Sequence, residues 1–258
     1  MSVAEGKMAS HMAQSIVMLH GFAGTHRAWD AVVAELQPTR GQSYRPLALD
    51  LPGHGSAAGV RPIDFAACVS AVLAQAPSRF VLAGYSLGGR VALHVALAAP
   101  RRVSALVLVS SSAGIADALQ RARRRAADER LAAELECGPF EWWVDRWRRQ
   151  PLFADDPAWV SAAARSDQLR NDPVALAVAL RGIGTGQMEP VWERLGELQV
   201  STVVLAGERD RRYCALGREL ADRLVCGRLE VVAGGHALLI ENPRAVATAI
   251  REAVDAAD

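Results

Sequence analysis

The chain has 258 residues, 51% hydrophobic and 22% charged, which is the composition of a globular protein long enough to bury a large α/β core. Its 29 basic and 28 acidic residues leave a net charge of +1, so no overall field draws it to nucleic acid or to an anionic membrane. No run reaches the ~18 consecutive apolar residues of a membrane-spanning helix. Lys7 is the sole lysine, so nearly every cation is an arginine, a bias expected of a GC-rich genome. Cys68, Cys137, Cys214 and Cys226 show neither Cys-x-x-C nor metal-ligand spacing. They read as reduced thiols of a cytoplasmic protein with no metal or other cofactor.

Residues 1–12, with three methionines and no apolar stretch, read as an addition made for expression rather than a signal peptide. The rest, 13–258, is expected to form one domain. Six short apolar runs follow in order: Ile16–His20, Arg45–Asp50, Phe80–Gly84, Ala105–Ser110, Thr202–Ala206 and Leu229–Ala233. They are rich in β-branched residues and hydrophobic nearly throughout, as strands buried on both faces are. Helical stretches at Trp29–Leu36, Phe65–Ala76 and Leu87–Ala98 lie between them. This alternation predicts a mostly parallel sheet with helices on both faces. Ligands of such sheets bind at the carboxyl ends of the strands. The interval 114–190 breaks the alternation: it is helical in composition and carries Trp142, Trp143, Trp147 and Trp159. It reads as a helical cap inserted between two strands. A last helix is expected to begin near Asn242-Pro243.

The chemistry concentrates at strand ends. Gly84-Tyr85-Ser86-Leu87-Gly88 fits G-x-S-x-G, with an apolar strand before it and an apolar helix after it. That context puts the serine on a sharp, exposed turn, where flanking glycines let two backbones pass. A serine hydroxyl needs an imidazole to activate it, and the imidazole needs a carboxylate to orient it. His236 follows the last run and Asp210 the fifth. The candidate catalytic set is therefore Ser86, Asp210 and His236. Backbone N–H groups of Phe22, after the first run, and of Leu87 can converge as an oxyanion hole. Arg90 stands at the first turn of the helix that follows Ser86, near enough to face the same site.

Together, His20-Gly21, Leu51-Pro52-Gly53-His54-Gly55, Gly84-Tyr85-Ser86-Leu87-Gly88-Gly89, Gly207-Glu208-Arg209-Asp210 and Gly235-His236 resemble the α/β-hydrolase superfamily, over essentially the whole chain after Met12. Finer features resemble one family within it, the 2-succinyl-6-hydroxy-2,4-cyclohexadiene-1-carboxylate synthases of menaquinone biosynthesis. These are Arg90, the stretch from Arg121 to Asp128, Trp147 with Gln150-Pro151-Leu152-Phe153, Arg170-Asn171-Asp172-Pro173, and Gly184-Thr185-Gly186 with Trp192.

The resemblance implies a lyase that removes pyruvate from a cyclohexene tricarboxylate, with Ser86 as base and no acyl-enzyme. It also implies that Arg90, Arg124 and Arg170 hold carboxylates of a small polycarboxylate, with Trp147 as one wall and Tyr85 as a further donor. Guanidinium suits that task, being planar, two-pronged and charged at any working pH. Apart from the resemblance, Arg124 and Arg170 read as a solvated helix face, and Arg123 or Arg125 could stand in for Arg124. The same three catalytic groups also suit a serine carboxylesterase or C–C hydrolase with a covalent Ser86 intermediate. A non-catalytic receptor on this fold is the third reading.

Overall fold

The computed structural model describes residues 13–36 and 43–257. The twelve leading residues, and with them Lys7, lie outside this range. The strands are β1 (Gln14–Leu19), β2 (Tyr44–Leu49), β3 (Phe80–Tyr85), β4 (Val103–Val109), β5 (Ser201–Gly207) and β6 (Gly227–Val232). They form one sheet in the order β2-β1-β3-β4-β5-β6, and every described pairing is parallel.

Side chains alternate across a strand, and the burial follows that period. Ile16, Met18, Val81, Ala83, Ala105 and Val107 pack on one face, against helices α1 (Asp30–Glu35) and α10 (Pro243–Asp255). Val17, Leu19, Leu82, Leu106 and Leu108 pack on the other. That face is covered by α2 (Phe65–Gln75), α3 (Leu87–Ala98) and α8 (Arg211–Arg223). Burying each such side chain contributes about 1.5–3 kcal/mol, and the central strands β1, β3, β4 and β5 are mostly hydrophobic because both faces are covered. The edge strand β6 differs. It mixes partly buried and exposed residues, none fully buried, and begins two residues earlier than the apolar run Leu229–Ala233 suggests, since incomplete burial leaves a weaker pattern.

The inserted interval folds as helices α4 (Ala118–Cys137), α5 (Phe140–Arg148), α6 (Ala158–Gln168) and α7 (Pro173–Ile183), between β4 and β5. Trp143, Trp147, Phe153, Leu176 and Leu180 give it an apolar centre, which also takes in Ala23 from the loop after β1. A short α9 (Leu238–Glu241) precedes α10. Among the described residues no helix is long and apolar enough to cross a membrane.

Candidate active site

Ser86 caps the start of α3 with φ 50° and ψ −107°, a left-handed conformation that a serine adopts only when its surroundings enforce it. Those surroundings are visible. Ser86 N–H donates to the Val109 carbonyl at 2.9 Å, and the Ser86 carbonyl accepts from Ser111 Oγ at 2.9 Å. A Cβ on Gly88 would collide with the backbone of Leu19 and His20, so only glycine lets α3 start this close to β1.

His236 Nε2 lies 3.3 Å from Ser86 Oγ, and its Nδ1 lies 2.7 Å from Asp210 Oδ2. An ionised carboxylate only accepts, so Nδ1 carries the proton and Nε2 presents its lone pair to the serine hydroxyl. Asp210 is itself held: its Oδ1 accepts from Tyr213 N–H at 3.2 Å at the head of α8. The imidazole is 2% exposed, with the rings of Tyr85, Phe153 and Tyr213 centred 5.4, 5.8 and 4.7 Å away. Burial keeps the Tyr85 phenol far above its ordinary pKa, hence neutral and able to donate.

Phe22 stands three residues past the end of β1 and lines the cavity beside Ser86. Ala23, at φ 60°, turns the chain there. His20 fixes the same corner: its Nδ1–H donates to the Gly21 carbonyl at 2.8 Å while Nε2 accepts from Leu51 N–H at 3.0 Å. Burial lowers the His20 pKa, which matches an imidazole used in its neutral form. Leu87, in the first turn of α3, is fully buried and, unlike Phe22, does not line the cavity.

A cavity of about 220 Å³ opens above Ser86 between the sheet and the cap. Tyr85, His236, Phe22, Trp147, Arg90 and Arg124 all line it. Arg90 is 4% exposed, makes no ion pair among the described residues, and has an Nε without a protein acceptor. Desolvation lowers its pKa to about 10, outweighing the favourable influence of Tyr213, with Arg124 pushing further down. It remains a cation at neutral pH. Arg124 Nε donates to Asp128 Oδ1 at 2.8 Å, and Asp128 is buried. The α4 register therefore turns Arg124 inward, while Arg123 and Arg125 are exposed.

Arg170 departs from what the resemblance implies. It does not line the cavity; its side chain is 48% exposed and lies 4.0 Å from Asp167. The cause is local. Asn171, its neighbour, takes the inward direction, donating from Nδ2 to the Ala23 carbonyl and accepting from Gly55 N–H. Asp172 is committed to capping α7 through Ala175 N–H. The cavity gains instead Arg212 and Tyr213, which the sequence reading passed over. A usable signal existed, since both lie within three residues of Asp210 at a strand's carboxyl end.

The pattern of the alpha/beta hydrolase family matches residues 16–249. The chain belongs to this family. Among α/β hydrolases, it is 31% identical to a protein of Salmonella schwarzengrund named 2-succinyl-6-hydroxy-2,4-cyclohexadiene-1-carboxylate synthase, over 95% of this chain and 97% of that one. Its fold superposes on MenH from S. aureus with a TM-score of 0.84 and 28% identity, over 95% of this chain and 94% of that one. An enol-lactonase from Burkholderia xenovorans, 21% identical, shares the fold at a TM-score of 0.77, over 94% of this chain and 92% of that one.

Proposed function

We propose that this α/β hydrolase is a carbon–oxygen lyase that eliminates pyruvate from 2-succinyl-5-enolpyruvyl-6-hydroxy-3-cyclohexene-1-carboxylate. The observation that carries the reading is a single cavity in which the Ser86 hydroxyl and the His236 imidazole face the cations Arg90 and Arg124. A neutral ester would gain nothing from a buried, unpaired guanidinium. A polycarboxylate supplies its missing partner, and charge-assisted hydrogen bonds of this kind contribute about 1.5–3 kcal/mol each. Similarity to named synthases over nearly the whole chain supports the same reading.

In the proposed reaction Ser86, its own proton passing to His236, takes the proton from the carbon next to the succinyl ketone. Asp210 holds the imidazole tautomer and steadies the imidazolium. The N–H groups of Phe22 and Leu87 stabilise negative charge on the enolate oxygen. Collapse of the enolate forms a C2=C3 double bond, moves the existing C3=C4 double bond to C4=C5 and breaks the C5–O bond to the enolpyruvyl group, leaving the conjugated diene. That group leaves, recovers the proton from His236 and tautomerises to pyruvate. Water does not enter the balance, and no acyl-enzyme forms. Arg90 and Arg124 bind carboxylates, Trp147 walls the ring, and Tyr85 donates a hydrogen bond. A small, diffusible substrate of this kind fits a cytoplasmic enzyme without nucleic-acid or membrane partners.

The test offers the purified protein this substrate and follows pyruvate release and diene absorbance, with p-nitrophenyl esters alongside. Rapid pyruvate release with feeble ester cleavage supports the lyase. Efficient ester cleavage without pyruvate favours a hydrolase using a covalent Ser86 intermediate on a small anionic substrate.

A further inference from the structure

Arg212 is the third cation on the cavity, and its setting is unusual. It occupies the second position of α8, whose first turn contains no acidic side chain. The amino end of a helix carries partial positive charge, so an arginine there is disfavoured by its own helix. Among the described residues it forms no ion pair. It also repels Arg90, as Arg124 does. Three guanidinium groups gathered on one cavity, only Arg124 with an acidic partner, leave an excess of positive charge that an anion would neutralise.

Position adds a second observation. Arg124, Thr185, Arg212 and Tyr213 line both the catalytic cavity and a neighbouring groove that includes Ser112, Gln120 and Trp192. These four residues therefore stand where the two adjoin. Arg212 also borders a second cleft beside His236, lined as well by Asp155, Asp156 and Asp210, none of which pairs with it. It is exposed, so its side chain is free to swing toward a bound ligand.

We propose that Arg212 is a substrate-binding residue that grips a carboxylate at this edge of the cavity and, with Arg90 and Arg124, selects for a tricarboxylate over a dicarboxylate. It fills the place that Arg170, turned away against Asp167, does not. The inference rests on the polycarboxylate reading of the site, and the experiment separates the two.

Arg212→Gln and Arg212→Lys are compared with the parent and with Arg218→Gln, an exposed arginine further along α8. Steady-state pyruvate release gives kcat and KM, and calorimetric titration with propane-1,2,3-tricarboxylate gives affinity without turnover. Arg212→Gln is expected to raise KM and weaken tricarboxylate binding about 10- to 100-fold, the size of one charge-assisted hydrogen bond, while kcat changes little. Arg212→Lys recovers part of both, and Arg218→Gln changes neither. Unchanged KM and unchanged tricarboxylate affinity in Arg212→Gln overturn the proposal. If the parent releases no pyruvate, the lyase reading fails. The titration then decides Arg212 alone: weaker binding in Arg212→Gln upholds it as a carboxylate anchor, and equal binding removes it.

Discussion

Asn171 Nδ2 donates to the Ala23 carbonyl at 2.8 Å, tying the cap to the loop that carries Phe22. The other end of the same amide accepts from Gly55 N–H at 2.9 Å, so one buried side chain joins the cap to two loops at the carboxyl edge of the sheet. Thr25 adds to the seam, donating from its N–H and its hydroxyl to Asp167. The cap is thereby fixed over Ser86 on this side.

Truncating that amide leaves a carbonyl and an N–H unpaired. Asn171→Ala is expected to cost about 1–3 kcal/mol of stability and to lower turnover through a looser Phe22 loop. Urea denaturation followed by circular dichroism checks the first part, and pyruvate release the second. A variant with the parent's midpoint and rate would show that the seam is not holding the site.

Asp128 fixes Arg124 through a 2.8 Å contact while itself buried at 2% exposure. Asp128→Asn keeps the volume but removes the charge that orients the guanidinium. KM is expected to rise about tenfold with kcat little changed, because the loss falls on ground-state and transition-state binding alike. A fall in kcat at constant KM would assign Arg124 to the chemical step instead.

Gly88 has no room for a methyl group against the Leu19 and His20 backbones. Gly88→Ala is expected to destabilise by about 4 kcal/mol or more, enough to reduce soluble yield sharply. Thermal melting of whatever folds gives the number. A parent-like Tm would mean that the serine turn is looser than described.

Asp50 supplies an acid-stability test. Burial disfavours its charge, but hydrogen bonds from His26 N–H, from the Ser56 hydroxyl and N–H, and from the His26 ring outweigh this and bring its pKa to about 2. A depressed carboxylate stabilises the fold above its unfolded pKa of about 3.9, and that contribution is lost as pH falls through about 2. The Tm gap between the parent and Asp50→Asn should thus be full at pH 5 and shrink between pH 4 and pH 2. A gap that stays constant would contradict the assignment.

Much of this site could be read from sequence because its parts lie at strand ends, where fold and chemistry coincide. Ser86, Asp210 and His236 each follow a strand closely, and parallel strands of one sheet bring their carboxyl ends together. The cap offered no such rule. Arg124 and Arg170 both stand among polar neighbours, and only the contacts of Asp128 and Asn171 decide that one turns in and the other out. Arg212 escaped notice because arginine is frequent along α8, and only its place two residues after Asp210 sets it apart from Arg218 and Arg223. The edge strand β6 was blurred for a simpler reason: none of its residues is fully buried, so polar Arg228 and Glu230 interrupt the apolar run.

The central claim is that Ser86 acts as the base of a pyruvate elimination. The most direct measurement is pyruvate release by Ser86→Ala, with circular dichroism establishing that the fold is retained. The account predicts a loss of about 100- to 10,000-fold in kcat, the usual contribution of a positioned general base, with KM nearly unchanged. Near-normal turnover in Ser86→Ala would contradict it.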